Sequence, residues 1–198
     1  MWLGVSRERR ELEEPMTYLR TERLELEPIS LAMVEAVMEG RREDAERIAE
    51  AVVPKTWPNR ALIERAFTAS IEEIRADPAT RLWGDRLMIE RSDRGERRVV
   101  GSIVFHGHPG PDGTAEIAYG VEEGSQGRGL ATEATRACVD WALAQDGVVA
   151  VHATTLPWHT PSLRVMVKLG MVLVGTRDHE TLGELVVYGL TRERPGLR

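Results

Sequence analysis

The sequence predicts an α+β fold, a mostly antiparallel strand meander followed by a strand–helix–strand–helix–strand run. Three observations predict it. Up to about residue 123, strand-length apolar runs are separated by glycine-bearing turns such as "RSDRGE" and "PGPDG". From Gly124 onward, glycines and prolines instead border two stretches whose apolar residues recur at helical spacing. Of the 198 residues, 42% are hydrophobic and 29% charged, ample material for the core of one large domain.

Each element follows in order. "MWLGVSRERRELEEP" is charged and lacks the long apolar stretch of a secretory signal, so residues 1–15 read as a tail before a single domain over 16–198. In "RLELEPI", Leu24, Leu26 and Pro28 alternate as in a strand. Ser30 precedes the helical run "LAMVEAVMEG", which Gly40 can end. "RREDAERIAEAVVP" predicts a second helix stopping near Pro54, and Asn59 caps a third, "RALIERAFTASIEEIRAD". "RLWGDRLMIE", "RRVVGSIVFHG" and "TAEIAYGVEE" read as three strands. Leu130, Ala134, Cys138 and Trp141 share one face of a helix running toward Gly147. "VVAVHATT" is β-branched and reads as a buried strand. Thr160 and Pro161 resemble an N-cap and first helical residue for "SLRVMVKL", with Gly170 placed to end it. "MVLVGT" and "GELVVYGLT" close the chain as strands.

Composition removes several classes of function. A formal charge of −6 disfavours non-specific nucleic-acid binding. No apolar run reaches the ~18–20 residues of a membrane span. The one cysteine, Cys138, excludes an internal disulfide framework and suits a cytoplasmic protein; its mid-helix position reads as core. His106 and His108 have the spacing of a metal pair, but no third ligand lies nearby, and no metal is expected.

"GSQGRGLATEA" places three glycines within six positions and then starts a helix. It lacks the lysine of a P-loop, and both the third glycine and the downstream acid of a dinucleotide fingerprint are missing. Two readings stay open: a plain strand-to-helix turn, or a shorter anion cradle. In the second, Gly127 and Gly129 let successive N–H groups converge at a helix N-terminus. The helix dipole adds about half a positive charge there.

"AEIAYGVEEGSQGRGLATEA" followed by "TLPWHTPSLRVMVKLGM" resembles the GCN5-related N-acetyltransferases, and within them the branch that acetylates ribosomal-protein amino termini. The resemblance runs in order from about Gly101 to Leu190, with the cofactor-binding half at about 98–190. It implies a three-layer α/β/α fold whose mixed, mostly antiparallel sheet splays between two strands. It also implies acetyl-coenzyme A as co-substrate, with the pyrophosphate on Gln126, Gly127, Arg128, Gly129, Leu130 and Ala131, and Thr132 beside them. Tyr119, Gly120, Val121 and Glu122 would flank the pantetheine arm. His159 stands where relatives carry a cofactor-binding asparagine, with Ser162 three residues on. Met166 replaces a tyrosine that protonates the leaving thiolate in some relatives, which leaves Ser162, as the best remaining hydroxyl, or solvent to do so.

Acyl transfer to an amine needs a proton acceptor, and Glu116 and Glu180 are the candidates, Glu180 by resemblance to a late glutamate paired with such a serine. The implied partner is an amine acceptor, a small molecule or a protein amino terminus, entering from the side of the N-terminal helices. Trp57, Trp83, Glu64, Glu72 and Glu73 are expected to line that side. A homodimer through the final strand is the oligomer the resemblance suggests. The competing classes are a small-molecule or antibiotic acetyltransferase and a non-catalytic acyl-coenzyme A sensor.

Overall fold

The computed structural model describes residues 18–58, 71–92 and 94–192. An eight-stranded sheet in the order β1-β2-β3-β4-β5-β6-β8-β7 runs through it. The strands are β1 (Leu19–Arg20), β2 (Leu24–Pro28), β3 (Arg86–Arg91), β4 (Arg97–Phe105), β5 (Thr114–Val121), β6 (Ala150–Thr155), β7 (Val172–His179) and β8 (Gly183–Thr191). All neighbours pair antiparallel except β5 and β6, which are parallel.

Helices cover the sheet on both sides. On one face lie α1 (Leu31–Met38), α2 (Arg42–Ala49), α3 (Ile71–Ala76) and α4 (Pro78–Arg81). They enclose a core that includes Met33, Val34, Trp57, Leu87, Ile89 and Val99. The other face carries α5 (Leu130–Ala144) and α6 (Thr160–Lys168) over Leu26, Ile103, Phe105, Ile117, Val151 and Ala153. Period-two alternation along β5 sends Ala115 and Ile117 to this second core and leaves Glu116 on the opposite face. Cys138 is fully buried there, and burial pushes its thiol up to about 12, so it packs as core.

A β-bulge sets the line of β5. Met88 pairs with Gly101 but Ile89 with Val99, so Val100 is the extra residue on β4. The bulge presses Gly101 against β5, where a Cβ would stand 2.2 Å from the Gly120 carbonyl oxygen. Only glycine fits that approach.

The structure departs from the sequence expectations at element ends. The strand read from Arg81 begins at Arg86, because the Asp77 carboxylate caps Thr80 N (3.2 Å) and starts the short helix α4. Helix α2 stops at Ala49 with Glu50 in the left-handed region, and Val52 bridges to Arg98, so "AVVP" is not helical. Helix α5 ends at Ala144, before Gly147, and β6 starts at Ala150. The N-cap of α6 is His159, with Thr160 already helical. Strand β7 continues past Thr176 to His179, exposed on both faces, so no apolar alternation marks its second half. The helix expected after Asn59 lies partly outside the described residues; its last part is α3.

Replacing Gly101 with alanine is expected to destabilise the fold by about 2 kcal/mol. Thermal unfolding should show this as a Tm lower by roughly 4–8 °C.

Candidate active site

The site begins where two strands part. β5 and β6 pair only through Thr114–Ala150, Ala115–Val151 and Glu116–His152. Beyond Glu116, β5 continues on β4 to Val121, while β6 continues on β8 to Thr155. A gap opens between them. His106 N bonds the Glu116 carbonyl (3.0 Å) and Glu122 N the Val100 carbonyl (2.8 Å), which fixes the alternation along β5. Ala118, Gly120 and Glu122 therefore turn their backbone toward β4. The N–H and C=O groups of Ile117, Tyr119 and Val121 face the gap.

Glu122 departs from the expected gap-lining role. It is 7% exposed, and its carboxylate accepts from Gly124 N (3.0 Å) and Ser125 Oγ (2.6 Å), building the turn that follows β5. Gly120 likewise packs against β4. Tyr119 crosses the gap: its phenol donates to the Ser162 carbonyl in the first turn of α6 at 3.1 Å. Burial pushes that phenol up to about 12, so it stays protonated at neutral pH.

The glycine stretch follows at once. A 3-10 turn at Glu123–Ser125 leads into the loop Gln126–Gly129, and α5 starts at Leu130. Gly127 (φ 75°) and Gly129 (φ 83°) are both left-handed, as a cradle of converging N–H groups needs. Gln126 Nε2 donates to the gap-facing Val121 carbonyl at 3.0 Å, confirming its direction. Ala131 and Thr132 are half-buried in the first turn of α5. Arg128 is not free beside this loop; its Nη1 and Nη2 grip Glu90 at 2.8 and 2.5 Å.

Sequence reasoning missed Arg23. From the turn between β1 and β2 it donates Nη1 to the Arg128 carbonyl at 2.9 Å and binds Glu133, in the first turn of α5, through Nε at 2.7 Å. The signal was faint, because one arginine 110 positions from its partner carries no local pattern.

On the sheet face opposite α5 and α6, Glu116 gathers polar groups from three further segments. Thr154 Oγ1 donates to it at 2.8 Å, Arg177 Nη2 at 2.7 Å, and His106 Nδ1 stands 4.0 Å away. Burial alone would raise the Glu116 pKa; the hydrogen bonds from Arg177 and Thr154 outweigh it and hold the carboxylate below its ordinary range. The low-dielectric surroundings of the His106 ring, 27% exposed, lower its pKa, with Glu116 opposing and Arg177 adding to the effect. His108 is turned elsewhere, its ring 5.4 Å from that of Trp83, so the two histidines do not form a pair. Among the described residues, no group of three His, Cys, Asp or Glu side chains is placed to hold a metal ion.

At the far wall, His159 Nδ1 and Thr155 Oγ1 share a hydrogen bond at 3.2 Å. Met166 is 1% exposed and belongs to the core. Glu180 lies exposed in the β7–β8 turn. Since β6 ends at the Thr155–Val186 pair and β8 reaches back to Gly183, that turn projects past the open end of the gap. No hydrogen bond or ion pair links Glu180 to Ser162 among the described residues. The expected acceptor lining changes as well. Trp57 is 5% exposed in the first core, and Trp83 packs on Phe105 and Trp141. Glu72 and Glu73 are exposed, and Glu64 lies outside the described residues.

Removing the Arg177 head group as Arg177→Leu leaves Glu116 half-paired. We expect a loss of roughly 1–2 kcal/mol at pH 7, discounted for the exposure of the arginine. A lowered carboxylate pKa stabilises above the unfolded value and ceases to do so as pH falls through the folded one. The difference between variant and wild type in urea unfolding should therefore shrink below about pH 4.5.

Comparison with known proteins places this geometry. The family model described as Acetyltransferase (GNAT) domain matches residues 23–172. The protein named uncharacterized N-acetyltransferase YjdG of Bacillus subtilis (strain 168) is 27% identical over 160 residues, 80% of this chain and 91% of that protein. Among solved structures, a GNAT-family acetyltransferase from Bacillus anthracis superposes with a TM-score of 0.57 at 24% identity, covering 90% of this chain and all of its own. RimL, the ribosomal L7/L12 alpha-N-protein acetyltransferase solved with coenzyme A, superposes with a TM-score of 0.59 at 14% identity, covering 88% of this chain and 98% of its own. With three quarters of its length matched, and with the strand gap and glycine loop in place, the chain belongs to the GNAT family of acetyltransferases.

Proposed function

We propose that this protein transfers the acetyl group of acetyl-coenzyme A directly to a primary amine while both substrates are bound. The observation that carries the reading is the gap between β5 and β6, which runs into an α-helix N-terminus through a two-glycine loop. A pantetheine arm has amides spaced to pair with the open backbone groups of Ile117 and Tyr119 and the Val121 N–H, as an added strand would. The pyrophosphate then falls on the N–H groups from Gln126 to Ala131, with Thr132 beside them. His159 and Ser162 border the arm from α6. A gap-facing N–H polarises the thioester carbonyl and holds the oxyanion. With Cys138 buried, direct attack by the amine avoids an acyl-enzyme.

The acceptor class we assign is a protein amino terminus. Helices α5 and α6 close one face and α1–α4 cover the β3–β4 part of the other, so the acceptor enters on that second face beside β7, which is exposed along its whole length and leaves room for an extended peptide. RimL, a ribosomal L7/L12 alpha-N-protein acetyltransferase, shares the fold. Glu180, projecting beyond the gap, is positioned to meet an incoming cationic terminus. Ser162 supplies the hydroxyl nearest the departing thiolate. The amine proton passes to His106, whose Nδ1 stands 4.0 Å from Glu116, a carboxylate that tight pairing with Arg177 makes a weak base.

A free-thiol release assay with acetyl-coenzyme A, run over ribosomal amino-terminal peptides and small amines, tests the reading; no release with any acceptor overturns it. Gly127→Val with Gly129→Val should abolish coenzyme binding in calorimetry, and unchanged affinity would refute the cradle. Rate should fall as pH drops through the His106 pKa, below 6.5, because only neutral imidazole accepts a proton. His106→Gln should remove that limb and lower kcat by about 100-fold.

A further inference from the structure

The glycines that let the cradle form also create a weakness. A peptide unit flips by changing the ψ of one residue and the φ of the next, and glycine tolerates either sign of φ. The Arg128–Gly129 peptide ends in such a glycine, at φ 83°. In a trans peptide the N–H and C=O point in opposite directions. One orientation presents the Gly129 N–H to an anion at the α5 N-terminus; the flipped one presents the Arg128 carbonyl oxygen and repels it.

We propose that Arg23 is a positioning residue that locks this peptide in the anion-binding orientation. Its Nη1 donates to the Arg128 carbonyl at 2.9 Å, holding the oxygen outward and the Gly129 N–H inward. Its Nη2 lies 3.6 Å from where a Gly129 Cβ would stand, so the guanidinium lies directly against the loop. Arg23 is itself immobilised. Glu133 accepts from its Nε at 2.7 Å, pairs with Nη2 at 2.6 Å, and accepts from its backbone N at 2.9 Å and from Thr21 Oγ1 at 2.5 Å. Thr21 Oγ1 also accepts from Leu24 N at 3.0 Å, which ties the turn to β2. Because Glu133 balances the guanidinium charge, Arg23 acts through geometry rather than by adding positive potential. This inference rests on the coenzyme reading above and names how that same cradle is kept open.

Calorimetry with coenzyme A, NMR titration with pantetheine (which lacks the pyrophosphate) and thermal unfolding test it on four proteins: wild type, Arg23→Ala, Arg23→Lys and Arg23→Ala with Glu133→Gln. The expected result is a coenzyme A Kd raised about 10-fold in both alanine variants, partial recovery with lysine, and pantetheine binding unchanged. Wild-type affinity in the double variant would overturn the proposal, since charge alone would then explain the single one. Parallel losses for coenzyme A and pantetheine with a lowered Tm would overturn it too, as a purely structural role predicts. Wild type that binds no coenzyme A overturns the coenzyme reading itself, whereas wild-type binding matched by all three variants overturns only the role of Arg23.

Discussion

The parallel ladder between β5 and β6 lasts three residue pairs, and the site depends on its ending there. Two antiparallel partners draw the strands apart: β4 holds β5 along Ile117–Val121, and β8 holds β6 along its full length. Antiparallel pairs are slightly more stable per residue than parallel ones, so the division of loyalties is physically reasonable. Its cost is a row of backbone groups without a ladder. Tyr119 and Gln126 temper this by spanning to α6 and by covering the Val121 carbonyl. The bulge at Val100 and the missing Cβ of Gly101 then decide how closely β5 follows β4, and hence where the gap lies.

Charge around the gap is matched almost locally. Arg128 has Glu90, Arg23 has Glu133, and Arg177 has Glu116. The anion-attracting part of the proposed cradle would thus be chiefly backbone N–H and helix dipole. The proton chemistry proposed for His106 lies on the opposite face, where it meets Glu116. On that reading the sheet would separate a charge-binding side from a proton-handling side, joined through the gap.

Sequence patterns revealed what is local. The glycines at 127 and 129, the buried stripe Leu130–Ala134–Cys138 and the strand before them are contiguous signals, and the structure places them as expected. Signals that need a partner from far along the chain were illegible. Arg23 reads as one of 26 Lys and Arg residues until its bonds to Arg128 and Glu133 are seen. Glu116 reads as a free carboxylate until Arg177 reaches it across β8 and β6. Trp57 and Trp83 read as rim residues because tryptophan serves surfaces and cores alike, and only packing decides between them. Helix α4 was hidden because four residues carry no periodicity, although Asp77 before Pro78 was a start signal.

The staple from the β1–β2 turn to α5 joins residues 110 positions apart. Contacts of such sequence separation form late, after the loop entropy between them has been lost. The loop can therefore reach its final shape only once the first strands have docked beneath a helix synthesised long after them. If Arg23 holds the cradle as proposed, coenzyme binding would be a readout of completed folding. A ribosome-bound chain that has not yet delivered α5 would then have no cradle, and a mature protein whose first hairpin frays would lose the proposed ligand before it loses its core.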